Sequence, residues 1–383
     1  MRFAPNDGHH QRQAKRACAD EGGWRPTNSQ LDGTLCLQWT REDPLFCERG
    51  TMLARPVDVD LVTQLQQQVE LLFAGATGYQ GAGVVAEFRA RGAPVVAIVK
   101  DHSKAATLAR LSELGATIAF VDAALLEPHT AALVDVSVAV MCLASSNMQV
   151  DSQSEFWAID RDANIRFGLA ALSAGARQIV LVATLDGRES RHFTEFSDAK
   201  EQAVDAIGDA CRSAGIAFTV IHPTAYFSDL TNRVFDSMRK NGRYTVIEAG
   251  SHCINPVHGG DVAAFLAESV NDPGRAGREH KVGGPDIFTF REIGELAADV
   301  LGKRKTLQIR RVPLLSLRVT AMIAGAAGLV SRKSRRFTAV LRWMIYAGLH
   351  DAVAQSCGCR RLSDEFLAKA DTLKVRALAA IGL

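Results

Sequence analysis

The chain has 383 residues, 47% hydrophobic, 7% aromatic and 22% charged, the profile of a globular protein long enough for one or two domains. Lys and Arg number 44 against 42 Asp and Glu, a net charge of +2, so there is no chain-wide electrostatic footprint for nucleic acid and none is expected as a partner. The eight cysteines are scattered without C-x-x-C pairs or a His pair at zinc spacing, which argues against a disulfide framework and a metal site and fits a cytoplasmic or other reducing soluble compartment.

Residues 1–66 read as a disordered extension, with turn-like clusters at Pro5-Asn6-Asp7-Gly8 and Glu21-Gly22-Gly23 and few periodic apolar positions. The acids spread from Asp7 to Glu48 fit neither a secretory signal nor a transit peptide, and Met52 is an alternative start of the natural protein.

From Val69 a unit recurs: an apolar run of strand length, a helical stretch, a glycine, the next apolar run. The expected strands are Val69 to Ala74, Val95 to Val99, Thr117 to Val121, Val138 to Cys142, Gln178 to Ala183 and Ala217 to Ile221. Gly92, Gly115, Gly175 and Gly215 stand just before four of them, suited to ending the preceding helices. Runs of Val, Ile, Ala and Phe without polar alternation belong to strands covered on both faces. The fold class is therefore α/β, a Rossmann-type doubly wound parallel sheet over residues 67–223, and residues 224–383 form a smaller, mainly helical substrate region. In that region Thr289 and Glu292 make a capping box for a helix from Arg291 to Leu301, ended by Gly302.

The first strand runs directly into Gly75-Ala76-Thr77-Gly78-Tyr79-Gln80-Gly81, followed by a helix from Ala82 to Arg91. Glycines here permit a tight turn and close approach to a pyrophosphate, which the helix N-terminus attracts. The spacing G-x-x-G-x-x-G, with no Gly-Lys-Ser/Thr, favours a dinucleotide over a nucleoside triphosphate. After the second strand stands Lys100, with Lys104 four residues on, where an acid would bind the ribose of NAD; cations suit a 2′-phosphate, so NADP(H) is favoured over NAD(H), with Asp101 as the competing ribose ligand. Asp122, after the third strand, sits beside the adenine or caps a helix from Ala123.

These features, with Met141 to Ser145, Asp198-Ala199-Lys200-Glu201, His222 to Phe227, Ile254 to Asp261 and Val282 to Pro285, resemble the atypical short-chain dehydrogenase/reductases. The branch is the NmrA-like and complex-I-39-kDa-subunit-like one, which also contains the divinyl chlorophyllide a 8-vinyl reductases. The resemblance implies NADP(H) or NAD(H) bound across the sheet, with Leu143, Ala144, Pro223 and Thr224 joining the loop residues around it. In the wider superfamily a Tyr four residues before a Lys, with a Ser or Thr after the fifth strand, carries catalysis. Here Lys200 matches, Thr184 stands at the Ser/Thr position, and Phe196 replaces the Tyr, which puts the usual carbonyl reduction in doubt because a phenyl ring transfers no proton. Tyr226 or a water held by Lys200 is the alternative donor, C=C reduction an alternative reaction, and a non-catalytic redox sensor or assembly subunit the alternative class.

The remaining candidates read as structural. Asn255, His258 and Asp261 are too thin a set for a metal, and helix capping by Asp261 is the expectation. The uncharged stretch Val319 to Ser331 is too short to span a bilayer, and its basic flanks leave a choice between a helix on an anionic membrane surface and a solvated basic face.

Overall fold

A computed structural model of the protein describes residues 24–31, 34–41, 71–123, 126, 136–145, 156–328 and 331–380. The chain divides into two units, Met1–Val57 and Asp58–Leu383. In the first, strands β1 (Trp24–Leu31) and β2 (Thr34–Arg41) pair antiparallel, Leu31 opposite Thr34. Both strands fall within the segment expected to be disordered, and the rest of 1–66 lies outside the described residues. The overlooked signal is Asp32-Gly33 between two strand-length runs, the dipeptide that a two-residue hairpin connection favours.

The second unit is built on an eight-stranded sheet. Its first members are β3 (Leu71–Ala74), β4 (Val95–Val99), β5 (Thr117–Phe120), β6 (Val138–Met141), β7 (Gln178–Val182) and β8 (Ala217–Pro223), the strands expected from the apolar runs. Val69 and Glu70, expected at the start of the first strand, lie outside the described residues. β9 (Arg243–Ile247) and β10 (Cys253–Ile254) stand apart from this sheet, and β11 (Glu279–Gly283) joins it beside β8. β12 (Phe288–Thr289) pairs with β10, β13 (Gln308–Val312) with β9, and β14 (Gln355–Ser356) extends the large sheet beyond β11. The order is β14-β11-β8-β7-β6-β3-β4-β5, and every pairing in it is parallel. The chain winds outward from β3 in one direction and from β6 in the other. The gap beyond the C-terminal ends of β3 and β6 is thus the topological switch point, where doubly wound sheets bind ligands.

Helices cover both faces: α1 (Tyr79–Ala90), α2 (Ala105–Glu113), α3 (Asn164–Ser173), α4 (Glu195–Ala214) and α5 (Gly259–Asn271). One core cluster joins Leu72, Ile98 and Met141 to Phe167 and Ile207 of α3 and α4; the other joins Phe73, Ala97 and Val140 to Val84, Phe88 and Leu266 of α1 and α5. Alternate residues of each strand thus enter opposite layers, which explains why the runs are apolar throughout. The C-terminal region adds α6 (Phe290–Val300), α7 (Leu314–Gly328), α8 (Arg332–Ala347) and α9 (Leu362–Ala380). The Thr289/Glu292 capping box is present at α6, with Thr289 Oγ1 accepting from Glu292 N at 3.2 Å.

Candidate functional site

The loop after β3 is shaped by its glycines. Gly75 has φ of +97°, and a Cβ there would lie 2.5 Å from the Cys142 carbonyl oxygen, so the loops after β3 and β6 touch only because the side chain is missing. A Cβ on Gly81 would fall on the Gly75 carbonyl oxygen, and Gly78 N–H donates to that same oxygen at 3.0 Å. The helix begins at Tyr79, three residues earlier than expected, with Gly78 at its N-cap, no side-chain cap and no acid in the first turn. Its positive end and orphan N–H groups therefore remain available to an anion.

Thr77, Gly78 and Tyr79 are exposed, whereas Gln80 is turned inward, its Nε2 donating to the Gly259 carbonyl at 2.8 Å to tie the loop to α5. Tyr79 packs edge-on against Tyr226, ring centroids 5.8 Å apart. Beyond β4 and β5, Lys100 Nζ stands 3.5 Å from Asp122 Oδ1, so Asp122 pairs with the cation proposed for the 2′-phosphate, a role absent from both sequence readings of it. Lys104 is exposed at the N-cap of α2.

Lys200 is buried, 1% exposed, with Nζ 3.0 Å from Asp160 Oδ1 and donating to the Leu143 carbonyl. Asn164 Nδ2 donates to the same carbonyl at 3.2 Å, and Ser145 N–H donates to Asp160 Oδ2 at 3.1 Å. Lys200, Asp160 and Asn164 together fix the Leu143 to Ser145 loop after β6, with Ala144 in its middle. Sequence reasoning missed Asp160 and Asn164: they stand among Arg161, Asp162 and Arg166, and nothing in the sequence marks which of these polar residues turn inward. Asp160 lies in a π-helical segment, Phe156–Ala163, leading into α3, a local widening often found at functional sites. Phe196 lies edge-on to Phe156 at 5.6 Å and packs with Trp157 and Ala199, so the position of the superfamily tyrosine is an apolar cluster.

Thr184 follows β7; its carbonyl bonds His222 Nδ1 at 2.9 Å, while its buried Oγ1 has no partner. Pro223 ends β8, and Thr224 Oγ1 donates to the Asn255 carbonyl at 2.6 Å, which fixes the turn into Tyr226. The Tyr226 hydroxyl is also buried without a partner. Burial, reinforced by the neighbouring Cys142 and Tyr79, pushes its pKa well above that of a free phenol, and burial raises Cys142 to about 12. Both groups stay protonated near neutrality.

Asn255, His258 and Asp261 are structural. His258 Nδ1 caps α5 by accepting from Gly260 N–H at 3.0 Å, in place of the expected Asp261. Asp261 instead receives the Arg360 backbone N–H and guanidinium, the stronger attraction for a carboxylate in the first turn. Asn255 bonds Gly284 and Ala354.

Four partnerless buried polar atoms, Gln80 Oε1, Ser145 Oγ, Thr184 Oγ1 and Tyr226 Oη, stand on the segments that follow β3, β6, β7 and β8. Buried polar atoms rarely go unpaired unless something else satisfies them. With the glycine cradle and the open helix N-terminus, they fit an extended ligand with a central pyrophosphate and polar ends. Fold and site together define a Rossmann-type dinucleotide-binding protein. The chain belongs to the NAD(P)H-binding family, whose model matches residues 75–273.

The chain is homologous to divinyl chlorophyllide a 8-vinyl-reductases. It is 29% identical over 247 residues to the chloroplastic protein of Oryza sativa subsp. indica, covering 62% of this chain and 60% of that one. It is 30% identical over 248 residues to that of Zea mays, with the same coverage. The chain spans about three-fifths of the length of these curated relatives. A further match, 34% over 65 residues and 17% of this chain, is to the mitochondrial NADH dehydrogenase [ubiquinone] 1 alpha subcomplex subunit 9 of Arabidopsis thaliana.

Among solved structures, the NADPH-dependent quinone oxidoreductase of Escherichia coli complexed with NADPH matches with a TM-score of 0.57 and 18% identity, over 78% of this chain and 99% of that one. The Citrobacter sp. triphenylmethane reductase complexed with NADP(H) matches with a TM-score of 0.58 and 19% identity, over 79% and 99%. At such identities the likeness is one of fold.

Proposed function

We propose that the protein is an NADP(H)-dependent oxidoreductase that reduces a conjugated C=C bond or a similar acceptor in an organic substrate, with Tyr226 rather than position 196 supplying the proton. The observation that carries this reading is the set of orphaned buried atoms on the segments after β3, β6, β7 and β8 beside a glycine cradle.

The loop from Gly75 to Gly81 and the N-terminus of α1 bind the pyrophosphate, and Lys100 with Lys104 offers the 2′-phosphate two cations. Lys200, held by Asp160, orients the Leu143 to Ser145 loop that borders the nicotinamide half. When bound, NADPH supplies a hydride. Tyr226 keeps its proton near neutrality and so serves as an acid toward the carbon or oxygen that becomes electron-rich. The homology to 8-vinyl-reductases supports C=C reduction over carbonyl reduction, as does the apolar cluster where a carbonyl reductase needs its tyrosine.

The test is a fluorescence titration with NADPH and with NADH on the wild type and Lys100→Asp, followed by NADPH oxidation assays with conjugated alkenes, vinyl porphyrins included. Preferential NADPH binding that weakens in the variant, with turnover lost in Tyr226→Phe, is expected. Equal binding of both nucleotides by both proteins refutes the cofactor assignment.

A non-catalytic NAD(P)-binding subunit or redox sensor is the second reading. It is favoured by the enclosure of Lys200 with Asp160, both side chains at most 2% exposed, and by Phe196. Cofactor binding without oxidation by any acceptor is its signature.

A further inference from the structure

Between residues 301 and 350 the chain carries eleven Lys or Arg and no Asp or Glu, although its net charge is only +2. This segment holds β13, α7 and α8. Helix α7 is apolar nearly all round. Leu317, Ala321 and Ala324 pack with Leu341 and Ile345 of α8, while on the opposite face Leu315, Val319, Met322 and Ile323 are exposed, Leu315 by 72% and Met322 by 69%. Their spacing of four, three and one residues makes a single stripe. Phe337 on α8 is 51% exposed. Arg310, Arg311, Arg318 and Arg342 are exposed in the same segment, and four more basic residues, Arg332, Lys333, Arg335 and Arg336, occupy the start of α8 in the sequence.

We infer that the α7–α8 hairpin docks this protein on an anionic lipid bilayer, with the stripe from Leu315 to Ile323 lying in the interface and the arginines on the headgroups. The inference does not rest on the proposed reaction. An exposed aliphatic face on a segment rich in exposed arginines matches an interface of acyl chains and phosphates. Two copies of the hairpin meeting face to face would bring two such basic segments together, which disfavours a dimer. Nucleic acid offers phosphates but nothing to cover Leu315, Met322 and Ile323. No helix among the described residues is long and apolar enough to cross a membrane, so α7 lies in the plane. At its other end Tyr346 of α8 lies against Phe193, ring centroids 5.4 Å apart, in the segment between β7 and α4.

The test is flotation of the full chain with phosphatidylcholine vesicles and with vesicles in which about a third of the lipid is phosphatidylglycerol, for the wild type, Met322→Glu/Ile323→Glu and Arg310→Glu/Arg311→Glu. Both variants alter exposed residues, and an unchanged Tm and NADPH titration verifies the fold. The wild type is expected to float with the anionic vesicles and to be released by high salt, and each double variant to lose about tenfold or more in bound fraction. Failure of the wild type to float, or flotation untouched by both variants, overturns the inference. So does a concentration-dependent dimer, or binding to duplex DNA, that Met322→Glu/Ile323→Glu abolishes without any flotation of the wild type.

Discussion

Lys200 and Asp160 give the sharpest test of how the site is built. Their charged atoms are 3.0 Å apart and their side chains at most 2% exposed, so neither charge retains water. In Lys200→Met the Asp160 carboxylate keeps the Ser145 N–H but loses its cation, and the Leu143 carbonyl keeps only the Asn164 amide. Removing one member of a buried pair costs about 3–5 kcal/mol. At about 2–4 °C per kcal/mol for a domain of this size, Tm falls by roughly 6–20 °C.

The double variant Lys200→Met/Asp160→Leu removes both charges. It should recover most of that loss, short by about 1 kcal/mol for the Ser145 N–H left without its acceptor. Urea unfolding of the wild type, both single variants and the double variant measures the coupling directly. NADPH affinity should fall along with stability in the single variants, because the Leu143 to Ser145 loop loses its anchor. If Lys200→Met costs less than about 1 kcal/mol, the worth of an exposed pair, Lys200 is solvated and the account of this loop is refuted.

Glycine positions separate cradle from helix. Gly81→Ala places its methyl on the Gly75 carbonyl oxygen and should abolish NADPH binding, whereas Gly83→Ala, with nothing within 4 Å, should stabilise α1 by about 0.5–1 kcal/mol and bind NADPH normally; titration and thermal melts check both. Tyr226→Phe removes a buried hydroxyl that has no partner, so stability should hold or rise by about 1 kcal/mol while turnover drops at least about a hundredfold, and parallel losses of both would refute the role given to it. Glu201 is fully buried, neither of its oxygens has a hydrogen-bond partner, and burial raises its pKa from 4.5 to about 7 despite Arg188. The folded state then holds a proton that the unfolded state releases above pH 4.5, so stability falls as pH rises from 4.5 to about 7. Glu201→Gln should remove that dependence and be more stable than the wild type at pH 8 by about 3 kcal/mol; unfolding curves at pH 5 and pH 8 that shift equally in both proteins would contradict it.

Most of the strands from β3 to β8 could be read from sequence because they are covered on both faces and so spelled largely in apolar residues; β5, at the edge of the sheet, was legible from Ile118-Ala119-Phe120 although only Ala119 is fully buried. β11 and β14 join the same sheet but were not legible: Glu279-His280-Lys281 is polar because it lies toward an edge where Arg188 and Asp186 meet its side chains, and Gln355-Ser356 is the exposed edge itself. The glycine loop was legible for a local reason, since strand, turn and helix N-terminus are contiguous in the chain. Lys100 and Asp122 were each placed at their strand ends, yet their pairing depends on β4 and β5 being neighbours, which periodicity alone does not state.

Lys200 shows where motif reading stops. Its match to the superfamily lysine located it on α4 below the switch point, but the motif carries no information about the face from which it is neutralised. That is decided by Asp160, forty residues upstream, whose π-helical segment packs against α4 with Phe156 on Phe196. Replacement of the tyrosine by Phe196 and the presence of an acid at 160 belong together physically. With a hydroxyl at 196, the lysine would have a polar neighbour toward the cleft; with an apolar ring there, its charge is held instead by a carboxylate underneath. Under the proposed reaction the proton-handling group would then come from another strand end, and Tyr226, after β8, carries a buried hydroxyl without a hydrogen-bond partner. Restoring the hydroxyl alone, in Phe196→Tyr, should therefore bring no gain in turnover, whereas a gain of tenfold or more, with Tyr226→Phe then tolerated, would return the proton step to the superfamily position.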